Sequence, residues 1–214
     1  MTIAEQEITV AGTSLLLNNM RSAFCEASSA LVISDLHVGK TAHFRRHGIA
    51  VPKNVLESDL HRLGDLLNHY QAEKLVVVGD LLHAGDNSDV DHFCAWRQTF
   101  SHVEVHLVEG NHDRISSSLE EKLCLAIREK SLEMNGLRLV HDFEPENLQF
   151  QITGHIHPGI VLRTAVSSLR LPCFAITDRQ LLLPAFSRFT GLDTKNTPSL
   201  GTFYAFTERE IFKV

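Results

Sequence analysis

The stretch Leu75-Val76-Val77-Val78-Gly79-Asp80 constrains this chain more than any other. Four apolar residues in a row, three of them β-branched, read as a buried strand, and the glycine lets the backbone turn sharply at its end. Asp80 then stands at the carboxyl tip of a central strand, where open α/β sheets place their ligands. A carboxylate has two oxygens and can bridge two cations, so the other informative residues are expected to gather around it.

The chain has 214 residues, 43% hydrophobic and 21% charged, enough for one well-packed soluble domain spanning 1–214. Its net charge of −6 argues against a generic electrostatic clamp on nucleic acid, which carries a basic footprint. It leaves room for a metal-dependent enzyme acting on phosphate esters, because bound cations change the local sign. The acidic amino terminus shows no signal-peptide core, and no run reaches the length of a membrane span. Cys25, Cys94, Cys124 and Cys173 form no CxxC pair and read as reduced core residues of a cytoplasmic protein. Thirteen histidines are unusual, and only their positions give them meaning.

Residues 7–18 alternate about Ala11-Gly12 as a hairpin, and 30–34 form a short buried strand that runs into Asp35-Leu36-His37. After a polar loop, Pro52 opens a helix whose apolar positions keep helical spacing from Val55 to Tyr70. Ser88 with Asp91, and later Ser118 with Glu121, resemble capping boxes for two further helices. Between them, 103–108 is a strand ending in Glu109-Gly110-Asn111-His112-Asp113. This order of strands and helices implies a parallel sheet. Beyond Asn135-Gly136, a type I′ hairpin signal, strand-like runs at 149–153, 160–166, 173–177, 180–183, 202–206 and 210–214 make the second half mostly antiparallel. Leu183-Pro184-Ala185-Phe186 reads as a strand end with its turn. The economical α/β architecture is two packed sheets with outer helices.

Five segments bring oxygen or imidazole groups to strand ends: Asp35-x-His37, Gly79-Asp80, Gly110-Asn111-His112-Asp113, Val140-His141 and Gly154-His155-Ile156-His157. Residues two apart in extended backbone share a face. Asp35 with His37, and His155 with His157, are therefore expected to converge while Leu36 and Ile156 face the core. Each segment alone is weak, and a lone histidine such as His141 is more often structural than a ligand. The ordered set is hard to produce by accident.

That set, D-x-H, G-D, G-N-H-D, a His and G-H-x-H, resembles the calcineurin-like metallophosphoesterase superfamily from Asp35 to His157. The resemblance implies a four-layer αββα sandwich of two mixed sheets flanked by helices. It also implies one metal held by Asp35, His37, Asp80 and His157 and a second held by Asp80, Asn111, His141 and His155. A hydroxide bridging the pair would attack phosphorus in line. Two divalent cations, less the charges of Asp35, Asp80 and the hydroxide, leave the centre net positive and attractive to phosphate. Mixed N/O ligation suits Mn²⁺, Fe²⁺ or Zn²⁺ better than Mg²⁺ or Ca²⁺, and Mn²⁺ is the expected ion. Coordinating imidazoles must be neutral, so activity is expected to fall below about pH 6. By the same resemblance, His112 lies beside the leaving oxygen as a general acid or phosphate contact. Asp113 either orients that ring through a hydrogen bond or starts a helix.

The most basic loop, Gly39 to Pro52, directly follows the first ligand pair. Lys40, Arg45 and Arg46, with Phe44 among them, could hold a phosphodiester backbone and stack a base, or simply connect strand to helix. The wording of 34–40, 43–46, 49–52, 79–83, 154–158 and 183–186 is similar to a branch of the superfamily, the bacterial ligase-associated DNA damage response endonucleases (PdeM-type). That similarity implies a Mn²⁺-dependent phosphodiesterase and endonuclease on single-stranded or flap DNA in DNA repair. An ATP-dependent DNA ligase, a helicase and an exonuclease would act alongside it. Arg163 is a candidate phosphate contact or a surface salt bridge, His83 a pocket residue or a turn hydrogen bond, and His43 and His47 candidates to line the cleft. Two alternatives remain: a small-molecule phosphatase or nucleotide phosphodiesterase, which the acidic charge favours, and an inactive scaffold of the same fold, which the complete ligand set disfavours.

Overall fold

The computed structural model describes residues 2–51, 54–83, 87–163 and 166–214, so Pro52 as a helix opener and 164–165 of the expected 160–166 strand lie outside the described residues. The first sheet begins as an antiparallel meander of β1 (Glu5–Val10), β2 (Thr13–Asn18), β3 (Ser22–Cys25) and β4 (Ala30–Ile33). It continues in parallel through β5 (Lys74–Val78), β6 (Glu104–Val108) and β7 (Ile127–Glu129). The strands β3 and β7 are too short, at four and three residues, to show the alternation that reveals a strand in sequence.

The helices are α1 (Lys40–Arg46), α2 (Val55–Tyr70), α3 (Ser88–Thr99) and α4 (Ser117–Leu123). Leu56, Leu60, Leu63, Leu66 and Leu67 of α2 pack with Phe93 of α3 and Leu119 and Leu123 of α4 against Leu31, Ile33, Leu75, Val77, Val105 and Leu107. The alternate residues Val32, Val76, Val78 and Val108 point the other way, into a core shared with the second sheet. The central run is apolar throughout because its two faces enter two different cores. Stretch 39–52 is helical in its first half, since α1 starts at Gly39, whose φ of 92° suits glycine. The caps also differ from the expected ones. Asn87 caps α3 by accepting from the Asp89 amide at 2.9 Å, and Ser116 caps α4 by accepting from the Leu119 amide at 3.3 Å. Ser88 and Ser118 already lie inside the helices, where a cap cannot form.

The second half contributes β8 (Ser131–Met134), β9 (Leu137–Val140), β10 (Gln151–Thr153), β11 (Gly159–Arg163), β12 (Ser168–Ile176), β13 (Gln180–Leu182), β14 (Thr202–Phe206) and β15 (Ile211–Lys213). Their spatial order is β15-β14-β12-β13-β10-β9-β8, with β11 paired to β12. Antiparallel pairing dominates, but β10 runs parallel to both its neighbours, which makes this sheet mixed too. The turn at Asn135 (φ 51°) and Gly136 (φ 78°) has the expected left-handed pair. The inner face, with Leu139, Ile152, Phe174, Leu181 and Phe206, closes the core between the sheets. A smaller cluster of Leu171, Cys173, Ala205, Phe203 and Phe212 lies apart from it, so the packed helical layer belongs to the first sheet. Cys25 and Cys173 are core residues as expected, Cys94 is half-buried and Cys124 is exposed. No helix among the described residues is long and apolar enough to cross a membrane.

Residues 184–187 are more than a strand end with its turn. They cross from the second sheet to the first, where the Phe186 amide donates to the Ser34 carbonyl (2.8 Å) and the Ser187 amide to that of Asp35 (3.2 Å). From below, the buried Arg62 guanidinium donates to the Phe186 carbonyl (2.5 Å), pairs with Asp59 (2.9 Å) and lies 4.2 Å from the Phe186 ring centre. Burial lowers its pKa to about 10 against the opposing pull of Asp59, so it stays charged at neutral pH. Arg62→Met should strand the buried Asp59 carboxylate and cost about 3–5 kcal/mol in denaturant unfolding of the metal-free protein. Adding Asp59→Asn should return part of that loss, whereas a single-variant loss below about 1 kcal/mol would show the pair is not holding the crossing segment.

Candidate metal centre

The ends of β4 and β5 stay paired beyond the regular sheet. The Asp35 amide donates to the Gly79 carbonyl (3.0 Å), the His37 amide to that of Asp80 (2.9 Å) and the Val38 amide to that of Leu81 (2.8 Å). Their backbone is not extended. Asp35 (φ 54°), His37 (φ 52°), Asp80 (φ 51°), His155 (φ 68°) and His157 (φ 54°) all have positive φ. The side chains converge through these left-handed residues and not through the pleat alternation expected from the sequence. Asp and His tolerate this region better than β-branched residues do, at a cost of order 1–3 kcal/mol each, which the paired strand ends must offset. Leu36 enters the helix-facing core, but Ile156 is only half-buried. Gly79 and Gly110 are required by close approach: a Cβ on the first would collide with the His141 ring, and on the second with Asp80.

The donors form two clusters, Asp35/His37/His157 and Asp80/His141/His155, each with its ligand atoms within 4.8 Å of one another. In the first, Asp35 Oδ1 lies 3.2 Å from His157 Nε2 and 3.9 Å from His37 Nε2. In the second, His141 Nε2 lies 3.5 Å from Asp80 Oδ2, 3.1 Å from Asn111 Oδ1 and 3.2 Å from His155 Nδ1. Asp80 Oδ2 is also 3.9 Å from His37 Nε2, so a single oxygen faces both clusters. The remaining valences are held by the protein. Asp80 Oδ1 accepts from the His112 amide (2.9 Å), and Asp35 Oδ2 from the His155 amide (3.1 Å). His141 Nδ1 lies 3.2 Å from the Val78 carbonyl, which can only accept, so Nδ1 carries the hydrogen and Nε2 is left as the ligand.

Asp35 Oδ1 and both ring nitrogens of His37 are buried without any hydrogen-bond partner among the described residues. Such atoms cost about 1–3 kcal/mol each when left unsatisfied. Together with the rest of the donor set, two carboxylates, four imidazoles and an amide oxygen, they fit a pair of divalent transition-metal ions.

Burial, reinforced by the Lys40 ammonium and outweighing Asp35 and Asp80, lowers the His37 pKa to about 3 and keeps that ring neutral. Burial alone would raise Asp80, yet the hydrogen bond and charge of His141, with the His112 amide, hold its carboxyl at about 2. Burial would likewise lower His141, but the Asp80 hydrogen bond and the charges of Asp35 and Asp80 lift it to about 9. Without metal, then, Asp80 and His141 are an ion pair.

Asp113 is not directed at the His112 ring, and α4 starts too late for it to be a helix cap. Its carboxylate accepts from the Leu82 and Gly110 amides, both at 2.9 Å, and so clamps the loops after β5 and β6 together; burial raises its pKa to about 6 against those two bonds. His112 is exposed, 5.6 Å from the His37 ring and stacked on His83 at 5.1 Å. His83 faces the site and not a turn. Phe44 (6.3 Å) and His43 (5.5 Å) extend the wall, the former with His83 nearly coplanar, and His47 packs on His43 at 4.4 Å. Burial and Lys40 lower the His83 pKa to about 4.

The expected substrate cations fare differently. Arg45 is turned to α3, paired with Asp89 at 3.4 Å, and lines a separate cavity of about 720 Å³ against Trp96 and Phe100. Arg46 is exposed on α1, without an ion pair among the described residues. Arg163 ends β11, roughly 13 Å of strand beyond Gly159. Other cations are closer. Lys40, half-buried, feels Asp35 and Asp80, although burial is the larger influence and lowers its pKa. Arg170 and Lys195, which no sequence motif marks, share a cavity of about 420 Å³ with His155 and His157.

No protein-family model matches the chain, and no curated protein does. Among solved structures it is similar to nuclease MPE of Pseudomonas putida, at 30% identity over 98% of this chain and 100% of that one, with a TM-score of 0.84. It is more distantly similar to Yfce, a phosphoesterase from E. coli, at 16% identity over 86% and 97% of the two chains, with a TM-score of 0.44.

Gly79→Ala should abolish metal binding at the His141 cluster, because the added methyl occupies the ring's place; binding of two equivalents by this variant would contradict the geometry. A ligand must be neutral at its bound nitrogen, and His141 holds its proton up to about pH 9. Cation binding near pH 7 should therefore release about one proton, with affinity rising about tenfold per pH unit toward 9. Calorimetry in buffers of different ionisation enthalpy reads that proton directly, and a pH-independent affinity would refute the assignment.

Proposed function

The chain belongs to the metallophosphoesterase superfamily, and from that premise we propose that it is a two-metal phosphodiesterase that cuts nucleic acid, single-stranded DNA in particular. The observation that carries the reading is Asp80 Oδ2 facing two donor clusters with a buried floor, in which Asp35 Oδ1 and both His37 ring nitrogens lack a hydrogen-bond partner among the described residues. Divalent transition-metal cations bound there, Mn²⁺ in our reading, would supply Lewis acidity and an acidified water.

Asp35, His37, Asp80 and His157 would hold one cation, and Asp80, Asn111, His141 and His155 the other. Four of these, Asp35, His37, Asp80 and His141, form a buried floor, while Asn111, His112 and His155 are exposed at the rim. A shallow floor with an open rim suits a phosphodiester inside a long chain better than a small molecule needing enclosure. The His112 imidazole stands at that rim and would hold a proton at the leaving oxygen, the step that matters most when the leaving group is an alkoxide. His83, stacked beneath it, restricts how that ring turns. The relative from P. putida is named a nuclease, which supports nucleic acid as the substrate. The same reading extends to DNA repair in the cytoplasm beside an ATP-dependent DNA ligase, a helicase and an exonuclease.

Metal-stripped protein reloaded with Mn²⁺ should hydrolyse bis-nitrophenyl phosphate and single-stranded DNA while leaving the nitrophenyl monoester nearly untouched. Turnover of the monoester alone would make it a phosphatase. Activity with Fe²⁺ or Zn²⁺ and none with Mn²⁺ would overturn the metal preference. His112→Ala should keep two metal equivalents and lose about 10²–10⁴-fold on DNA, with a smaller loss on bis-nitrophenyl phosphate, whose leaving group needs no proton. Equal losses on both would argue against the acid role.

A further inference from the structure

The rim beyond His157 is built by a segment that the metal chemistry does not use. The loop around Asp193 is fastened to the ligand backbone: the Asp193 amide donates to the His157 carbonyl (3.0 Å), and the Gly159 amide donates to the Asp193 carbonyl and to Thr197 Oγ1 (both 3.1 Å). A cavity of about 420 Å³ is lined by His155, His157 and Arg170 together with Asp193 and Lys195 of this loop.

Neither cation forms a salt bridge among the described residues. Arg170 donates to the Leu192 carbonyl (2.8 Å), which aims its guanidinium at the loop, and it has no carboxylate partner among the described residues. Lys195 likewise forms no ion pair there. Asp193 lines the same cavity and accepts from the Lys195 and Asn196 amides and the Asn196 side chain (2.8, 2.9 and 2.6 Å); these bonds hold its carboxyl below the usual range, so the cavity carries one negative charge against the two positive charges of Arg170 and Lys195. Arg163 lies on the same face of the β11–β12 ribbon as Arg170, because Arg163 pairs with Ser168 and Val161 with Arg170. The cations therefore lead outward from the metal floor in one direction, whereas the His83 and Phe44 wall bounds the other.

We infer that the cavity between His157, Arg170 and Lys195 is a subsite for a flanking phosphate of the substrate strand, one that is not itself cleaved, with Arg163 next in line. The inference rests on the nucleic-acid reading above, and its ligand class is a phosphodiester of a polynucleotide. A substrate with a single phosphate cannot use this subsite; one with several can.

The test compares Mn²⁺-loaded wild type, Lys195→Ala, Lys195→Glu and Arg170→Gln on single-stranded DNA and on bis-nitrophenyl phosphate, with salt varied. Each neutralising variant should raise KM for DNA about three- to tenfold with kcat nearly kept, and Lys195→Glu should raise it further. The loss on DNA should exceed the loss on bis-nitrophenyl phosphate by at least about threefold, and the dependence of DNA binding on salt should become shallower by about 0.7 in logarithmic slope per cation removed. Equal losses on both substrates, or an unchanged salt slope, would overturn the subsite while leaving the phosphodiesterase reading intact. Wild type that cleaves bis-nitrophenyl phosphate and not DNA would instead overturn the nucleic-acid reading, and the subsite with it.

Discussion

The two oxygens of Asp80 do different work, and the site depends on their separation. Oδ1 is fixed by the His112 amide, whereas Oδ2 faces His37 at 3.9 Å and His141 at 3.5 Å. A carboxylate at the end of an ordinary strand would not present an edge this way. The positive φ at Asp80 swings the side chain off the strand axis, and the missing side chains at Gly79 and Gly110 let the His141 ring and the next loop close in on it. The local backbone cost is sustained because the segments after β4 and β5 remain hydrogen-bonded as a pair and Asp113 clamps the loop after β6 onto them.

The site is also a joint between the two sheets. Asp35, His37, Asp80 and Asn111 come from the first sheet, and His141, His155 and His157 from the second. Each cluster draws on both sheets, so a slip of one sheet over the other would pull both clusters apart. Two features oppose it at the point of contact. The His155 amide donates across the joint to Asp35 Oδ2 (3.1 Å), and residues 186–187 bond back to Ser34 and Asp35 over the buried Arg62. The core between the sheets then supplies the bulk stability, while these ties set the sub-ångström placement that metal ligation needs.

The metal motifs were legible in the sequence because each sits where an apolar strand stops, and an apolar run marks a strand whatever residues come after it. The means of convergence was not legible: pleat alternation and a left-handed turn both bring residues i and i+2 together, and the residue types Asp and His fit either. The basic stretch after Gly39 shows the limit of composition. Its charges were visible, but seven residues of helix send Arg45 toward Asp89 and leave Lys40 beside the floor, a distinction that only the helical twist makes. Arg170 and Lys195 gave no signal at all. One lies in mid-strand and is aimed by its bond to the Leu192 carbonyl; the other lies in a polar loop held by the Asp193 amide's bond to the His157 carbonyl, and sequence announces neither.

An acidic protein that is to act on a polyanion, as proposed for this chain, must reverse its sign locally. Before loading, the floor holds Asp35, Asp80 and the buried Asp113 against a protonated His141 and the half-buried Lys40, so it offers phosphate no attraction. Two divalent cations bound there would displace the His141 proton, and the floor would gain about three charges, not four. That would still be enough to turn it positive, so loading would confer the floor's affinity for phosphate. The rim cations at Arg170 and Lys195 carry their charge regardless of metal, but salt confines their reach to about 8 Å. Loading of the floor and anchoring at the rim are thus separate contributions, one gated by the Asp80–His141 pair and the other fixed by the fold.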